Sequence, residues 1–279
     1  MLKDERDFFT RGIIVKLMTS GEPIVKTFQC NICGAPVDFP LESLGRETPS
    51  CPVCRSTPRV RSVVDILARH FFGHSLTLPD FPTRPEVRGL GLTDSNNYAS
   101  RLVAKFDYEN TFLHTEPQFD ITAPLTSDRI AAYDFVIASE IFEHVLPPVA
   151  RAFDNTFQLL KPGGLFVLTV PYGILPETIE HFPELHEFTI DELHGKYVLT
   201  NYTRQGVVQR FDNLIFHGGP GSTLEMRVFA EVDLNRLLLA AGFTDIMFHM
   251  EPLLPYGITW PGTWSRPISA RRAGALTGE

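Results

Sequence analysis

All four cysteines of the 279-residue chain fall between residues 30 and 54, in QCNICGAP (Cys30, Cys33) and SCPVCRS (Cys51, Cys54). The pattern is C-x2-C, seventeen residues, C-x2-C. No other feature of the chain constrains its folding as tightly. Each C-x2-C turn presents two thiolates on one side, and two turns face to face complete a tetrahedron around Zn²⁺. Gly34 after the first pair and Pro52 inside the second suit tight turns. With four thiolates the site is closed, so the expected role of Cys30, Cys33, Cys51 and Cys54 is structural zinc rather than catalysis. Two disulfides or a redox CxxC are the competing readings, and an intracellular setting disfavours disulfides.

That setting is itself an expectation. MLKDERDFF puts charges where a signal peptide would carry apolar residues. No window reaches 18 uninterrupted apolar residues, so the expectation is a cytoplasmic protein without a membrane span. The composition, 43% hydrophobic and 21% charged, is that of a globular chain. The net charge is −8, which disfavours a large nucleic-acid footprint. Residues 1–84 carry 11 basic and 9 acidic side chains, and the remainder 14 and 24. Only the first third is electrostatically compatible with a phosphate backbone. Arg55, Arg59 and Arg61, after the second cysteine pair, offer a small basic edge or simply a solvated face.

Residues 1–28 are expected to form a helix and a strand leading into the ribbon. RVRSVVDILARHFF (59–72) has apolar residues at helical spacing. LTLPDFPTRPE (76–86) holds three prolines and reads as a linker. It divides the chain into an N-terminal region, 1–80, and a second domain, 81–279. From residue 86 strands alternate with helices. EVRGLGL, NTFLHTE (110–116), YDFVIAS (133–139) and LFVLTVP (165–171) read as strands. SNNYASRLVAKF (95–106) and PPVARAFDNTFQLL (147–160) read as helices, and EIFEHV as the start of another. KPGG (161–164) reads as a turn. The alternation predicts an α/β, doubly wound, mostly parallel sheet covered on both faces. An insertion at about 173–229 includes a β-hairpin (197–216) and the glycine-rich FHGGPG. EVDLNRLLLAAGF reads as a helix stopped by Gly242, followed by the strand TDIMFHM and an extended aromatic tail.

Three blocks, YDFVIASEIFEHV, LLKPGGLFVLTVP and LLLAAGF with its following strand, resemble class I S-adenosylmethionine-dependent methyltransferases. The resemblance spans about residues 86–250 and implies a Rossmann-like core. It places the cofactor at the carboxyl ends of the strands. The family's glycine-rich loop after the first strand is reduced here to GLGLTDSNN, with Gly91 at the first loop glycine and Asp94 further along. This departure keeps a non-catalytic binding module among the alternatives. The resemblance further implies Glu116 as ribose acceptor, Asp120 beside the adenine with Ile121 as an apolar wall, and Ser139 and Glu140 facing the methionine moiety or the substrate.

SEIFEH (139–144) sets Glu140, Glu143 and His144 at spacing i, i+3, i+4, one face of a helix. It is similar to the ExxEH segment of small-RNA 2′-O-methyltransferases and ubiquinone-pathway O-methyltransferases, where it helps hold a divalent cation. The resemblance implies a cation such as Mg²⁺ at Glu140, Glu143 and His144, with His181, His186, His217 or Glu225 completing the site. A metal-free general base and a purely structural patch stay open beside it. The expected activity is O-methylation of a hydroxylated small molecule or carbohydrate, with His144, His186 and Glu143 as catalytic candidates. An RNA methyltransferase gripping its substrate through the ribbon is the first alternative. A homodimer is compatible with either.

Overall fold

The computed structural model describes residues 25–219 and 221–274. The helix expected near the N-terminus lies outside the described residues. The ribbon opens with β1 (Val25–Gln29) and β2 (Pro36–Pro40), paired antiparallel across the first cysteine turn. Cys30 carbonyl accepts from the Gly34 N–H (2.7 Å), and Cys51 carbonyl accepts from the Arg55 N–H (2.9 Å). Gly34 and Arg55 follow the second cysteine of their pairs, and both have positive φ, +80° and +60°. The two knuckles share one geometry, although only the first uses the glycine that suits it.

Helix α1 (Pro58–Phe72) follows, capped by Thr57, whose side chain accepts from the Val60 N–H, and stopped by Gly73 at φ +78°. Strand β3 (Arg84–Leu92), helix α2 (Asn96–Val103) and strand β4 (Phe106–Thr111) form the first βαβ unit. Then come β5 (Tyr133–Ser139), α3 (Ala150–Leu159) and β6 (Leu160–Thr169). The insertion holds β7 (Tyr172–Gly173), β8 (Ile179–Glu180), β9 (Glu187–Leu193), β10 (Lys196–Tyr202), β11 (Val208–Phe211) and β12 (Arg227–Ala230). Helix α4 (Glu231–Ala241), β13 (Phe243–Phe248) and β14 (Ile268–Arg272) close the fold. The main sheet runs β13-β14-β6-β5-β3-β4. Strands β4, β3, β5 and β6 are parallel, and β14 lies antiparallel between β6 and β13.

Strands buried on both faces read as continuous apolar runs, and 135–138 of β5 and 165–168 of β6 do. Phe135, Ile137, Leu165 and Val167 face one core, which α1, α2 and the ribbon cover. Val136, Ala138, Phe166 and Leu168 face the other, covered by α3 and α4. Cys30 and Cys51 belong to the first core, together with Val63 and Leu67 of α1. The ribbon is therefore fixed against the sheet. The proline-rich stretch expected as a linker is packed into this core through Leu78 and Phe81. Among the described residues no helix is long and apolar enough to cross a membrane.

Four local expectations are corrected. EIFEHV starts no α-helix: Phe142–His144 is a single 3₁₀ turn, and α3 begins only at Ala150. Pro147 and Pro148 push their preceding residues out of the helical region. The second strand ends at Thr111, and residues 112–119 form a loop. KPGG lies within the span of β6 rather than between elements, and the ladder with β5 jumps from Tyr133–Leu160 to Phe135–Leu165 there. The inserted hairpin is a three-stranded sheet, β11-β10-β9, because EFTIDEL pairs with β10.

Candidate active site

In an open α/β sheet the crevice lies where the strand order reverses. Here that point is between β3, which leads to the edge strand β4, and β5 on its other side. An open cleft begins there, lined by Leu92, Thr93, Thr111, Phe119, Asp120, Ile121, Ile141, His144 and Val145. Apolar walls with one carboxylate suit a flat heteroaromatic ring bearing an amino group.

The loop after β3 is built without the usual glycines. Thr93 takes φ +58°, costly for a β-branched residue, and its N–H is held by the Thr111 carbonyl at 2.7 Å. Asp94 points inward. Its carboxylate accepts from the Tyr98 hydroxyl (2.5 Å) and from the Tyr108 hydroxyl. Burial pushes its pKa up to about 7 despite those bonds. A Cβ on Gly91 would fall 1.9 Å from the Tyr108 hydroxyl and 2.5 Å from Asp94 Oδ2. Gly91 thus makes room for this buried trio. Asn110 closes the loop, accepting from the Asp94 N–H (2.8 Å) and donating to its carbonyl (2.9 Å).

Glu116 is exposed, accepts from the Gln118 N–H at 3.0 Å and is not a wall of the cleft. Asp120 accepts from the Thr122 N–H and hydroxyl, both at 2.8 Å. Ser139 contacts Thr169 Oγ1 at 2.9 Å and accepts from Arg59. Glu140 takes φ +58° at the end of β5 and receives both terminal nitrogens of Arg46 (2.7 and 3.1 Å). Burial opposes its charge, but Arg46 and Arg59 hold it below the usual carboxylate range. Of the three arginines expected as a basic edge, only Arg55 is exposed, while Arg61 is fully buried.

Glu140 and Glu143 do not share a helical face. Glu143 is completely buried, and neither carboxylate oxygen has a hydrogen-bond partner. Burial, then the nearby Glu140 charge, push its pKa well up. His144 Nε2 lies 3.6 Å from it. His144 Nδ1 is 2.9 Å from the Leu224 carbonyl, which can only accept, so Nδ1 carries the proton. His217 packs edge-on against His144, ring centroids 4.8 Å apart. Its Nδ1 faces Glu143 at 4.0 Å, and its Nε2 pairs with Glu225 at 2.8 Å. Glu225 also pairs with His181 at 2.8 Å. These bonds outweigh burial and hold Glu225 down at about 2. Sequence reasoning offered His217 and Glu225 only as alternatives to His186. His186 stands apart, exposed, with its ring nearest Glu187 at 4.0 Å.

Arg227 was missed entirely. It is fully buried and donates to the carbonyls of Phe142 (2.8 Å) and Val145 (2.7 Å) and to Glu180 (2.7 Å). It clamps the 3₁₀ turn that carries Glu143 and His144. A lone arginine opening a short strand gave no signal of this.

In the ribbon, Cys30 and Cys54 sulfurs are 3.5 Å apart and Cys33 and Cys51 sulfurs 3.7 Å. All four cysteines are free thiols. A regular tetrahedron with Zn–S bonds of about 2.3 Å has edges of about 3.8 Å. Arg61 lies beside them, donating only to neutral oxygens: Ser56 carbonyl (3.0 Å), Ser50 Oγ (2.9 Å), Ser56 Oγ (3.2 Å) and Gly257 carbonyl (2.7 Å). Burial pulls its pKa down to about 10, and the groups opposing that pull are the four cysteines.

Residues 63–247, more than half of the chain, match the family described as "Methyltransferase domain". No curated protein matches the chain in sequence. Solved structures similar to it include a S-adenosylmethionine-dependent methyltransferase from Clostridium acetobutylicum ATCC 824, at 13% identity and TM-score 0.39, covering 67% of this chain and 84% of that one. Another is the SAM-bound amino pentose methyltransferase from Micromonospora echinaspora involved in calicheamicin biosynthesis, at 15% and 0.44, covering 78% and 92%. A third is a sugar N-methyltransferase from Streptoalloteichus sp ATCC 53650, at 14% and 0.43, covering 76% and 86%. Similarity at this level says nothing about this chain's acceptor. The family match, over more than half of the chain and on a sheet whose order reverses at the cleft, identifies the chain as a member of this methyltransferase domain family.

Proposed function

We propose that the protein O-methylates a hydroxylated small molecule or carbohydrate, with His144 as the general base. One observation carries this reading: His144 lines the cleft while its ring belongs to the cluster of Glu143, His217, Glu225 and His181. Burial lowers its pKa, so the ring is neutral near pH 7. With Nδ1–H committed to Leu224, the Nε2 lone pair is free to take a proton. S-adenosylmethionine, bound in the cleft, would supply an electrophilic methyl and a thioether leaving group, and His144 would take the proton that the acceptor hydroxyl loses on attack. In-line positioning supplies most of the remaining acceleration. The adenine ring would stack between Ile121 and the Ile141–Val145 wall with Asp120 accepting from its amino group. Gly91, Asp94 and Glu116 would act indirectly, by shaping the loops around it.

The unpartnered Glu143 carboxylate supports a second reading, a divalent cation. Glu143 Oε, His144 Nε2 and His217 Nδ1 are the ligands that fit, and the far nitrogens of both rings are secured by Leu224 and Glu225, as in metal-bound histidines. Glu140 would take no part, being paired with Arg46. Such a cation lowers the pKa of a bound hydroxyl. For the ribbon, zinc fits the sulfur spacing, and a four-thiolate zinc carries the negative charge that buried Arg61 otherwise lacks. The division at about residue 80 then separates a zinc-held wall from the catalytic domain.

The test is methyl transfer from labelled S-adenosylmethionine to a panel of polyols, phenols, sugars, amines and short RNAs, with the product linkage read by mass spectrometry. An O-methyl product supports the reading, and exclusive N-, C- or RNA methylation overturns it. Full activity after chelation of loosely bound metal, with zinc retained, removes the cation.

A further inference from the structure

We propose that the ribbon supplies part of the cofactor site: Arg46 and Arg59 receive the α-carboxylate of the cofactor's amino-acid end, and Glu140 its α-ammonium. The inference rests on the cofactor lying across the crevice between β3 and β5. Thr93 and Ile141 line the cleft proposed for the adenosine half. Asp94, next to Thr93, turns inward to Tyr98 and Tyr108, and Glu140, just past the end of β5, immediately precedes the cleft wall residue Ile141. Arg46 and Arg59 bond Glu140 and Ser139, one and two residues before that wall.

Four charges meet there. Arg46 binds Glu140 through two nitrogens and donates through Nε to the Ser265 carbonyl. Arg59 donates to Ser139 and, through Nε, to Glu47 Oε1 at 2.7 Å. Arg46 also donates to that same Glu47 oxygen. Two guanidiniums, each with a side chain only 15% exposed, thus converge on one carboxylate oxygen whose own side chain is 50% exposed. A carboxylate carried in by a ligand would satisfy the same donors. Glu47 is therefore a displaceable placeholder on a surface loop. Glu140, held from below by Arg46, is the fixed anion. With Glu47 displaced, the two arginines face the ligand's carboxylate and Glu140 faces its ammonium.

The loop after β3 offers a physical motive. Thr93, Asp94 and Ser95 stand where glycines would let backbone N–H groups approach a ligand carboxylate. Charged donors from the ribbon replace that approach. Arg46 lies between the two cysteine pairs, and its carbonyl accepts from the Arg59 N–H at the start of α1 (3.2 Å). Both arginines are consequently positioned by the four-cysteine site.

The experiment is calorimetric titration of the intact protein with S-adenosylhomocysteine and with 5′-methylthioadenosine, which lacks the amino-acid end. Wild type should bind S-adenosylhomocysteine more tightly. Arg46→Met and Arg59→Met should each weaken it roughly 10- to 100-fold, the scale of truncating one partner of a buried charge pair, and leave methylthioadenosine unchanged. Glu47→Gln, on an exposed side chain that the fold tolerates, should tighten S-adenosylhomocysteine severalfold by removing its competitor. Equal weakening of both ligands, or a Glu47→Gln variant no tighter than wild type, overturns the subsite and leaves the cofactor assignment standing. Binding of neither ligand by wild type overturns both.

Discussion

Glu140 and Glu143 are three residues apart in one hexapeptide and sit in opposite electrostatic surroundings. Glu140 meets Arg46, 94 residues upstream, and stays ionised. Glu143 has no arginine or lysine paired to it among the described residues, only the rings of His144 and His217 at 3.6 and 4.0 Å, is fully buried, and favours its neutral form. Ser139–Glu140 belongs to the ribbon side of the crevice, and Glu143–His144 to the insertion side, through Leu224, 80 residues downstream. The same side chain becomes a fixed anion on one side and an uncharged reserve on the other. Position along the chain decides nothing here; the element that packs against each residue decides everything. In the proposed mechanism one side holds a charged cofactor end and the other takes a proton.

The comparison breaks most severely when one side loses its scaffold. Substituting Cys51→Ser, or stripping zinc with a strong chelator, should unfold the ribbon, because metal-binding free energy at such sites is folding free energy. Thermal unfolding and bound-zinc content should fall together, and cofactor binding with them. An unchanged melting temperature in metal-free protein would show that the thiols pack without an ion. On the other side, Arg227→Met should destabilise by about 3 kcal/mol, since it strands the Glu180 carboxylate and two carbonyls. It should also lower kcat through the displaced turn while the affinity for S-adenosylhomocysteine holds. Denaturant unfolding and single-turnover rates check the two halves.

His144→Asn is more selective. Removing a general base costs roughly 10²- to 10⁴-fold in rate, with cofactor affinity unaltered. Burial lowers the His144 pKa, and a base acts only when deprotonated. The wild-type rate should therefore fall on the acid side only below about pH 6.5, the unperturbed value, and that limb should vanish in the variant. Persistence of the limb in His144→Asn would assign it to another group.

What could be read without coordinates follows the range of the interactions. The apolar runs of β5 and β6, the Gly242 stop and the cysteine turns depend on neighbours within a few residues, and the sequence displays them. The helix expected at EIFEHV failed because Pro147 and Pro148 outrank local spacing. That Gly91 makes room for the Tyr108 hydroxyl was not legible, because the hydroxyl arrives from another strand. Arg46, Arg59 and Arg227 act at separations of 80 residues or more, and nothing local marks an arginine for such a contact. The histidine cluster was half legible: the Glu143–His144 pair is adjacent in sequence, but the choice of His217 over His186 depended on how the insertion folds back.

The smallest effect tests the comparison most directly, through opposite signs at the two glutamates. Glu140 has a folded pKa below its unfolded value. Its contribution to stability is present above the unfolded pKa of about 4.3 and is lost as pH falls through the folded value. Glu140→Gln should then destabilise at pH 7, by about 2 kcal/mol for a half-buried pair, and the penalty should shrink in acid. Glu143 has a folded pKa above its unfolded value. Stability is full below about pH 4.3 and erodes as pH rises toward the folded value, because the unfolded chain ionises more readily. Glu143→Gln should therefore be neutral in acid and stabilising by about 1 kcal/mol at pH 7. Both are measured by thermal unfolding against pH, with loosely bound metal chelated. The two difference curves should diverge as pH rises from 4 to 7. Curves that run parallel would mean that Glu143 has a cationic partner after all, and the two sides of the crevice would no longer differ in kind.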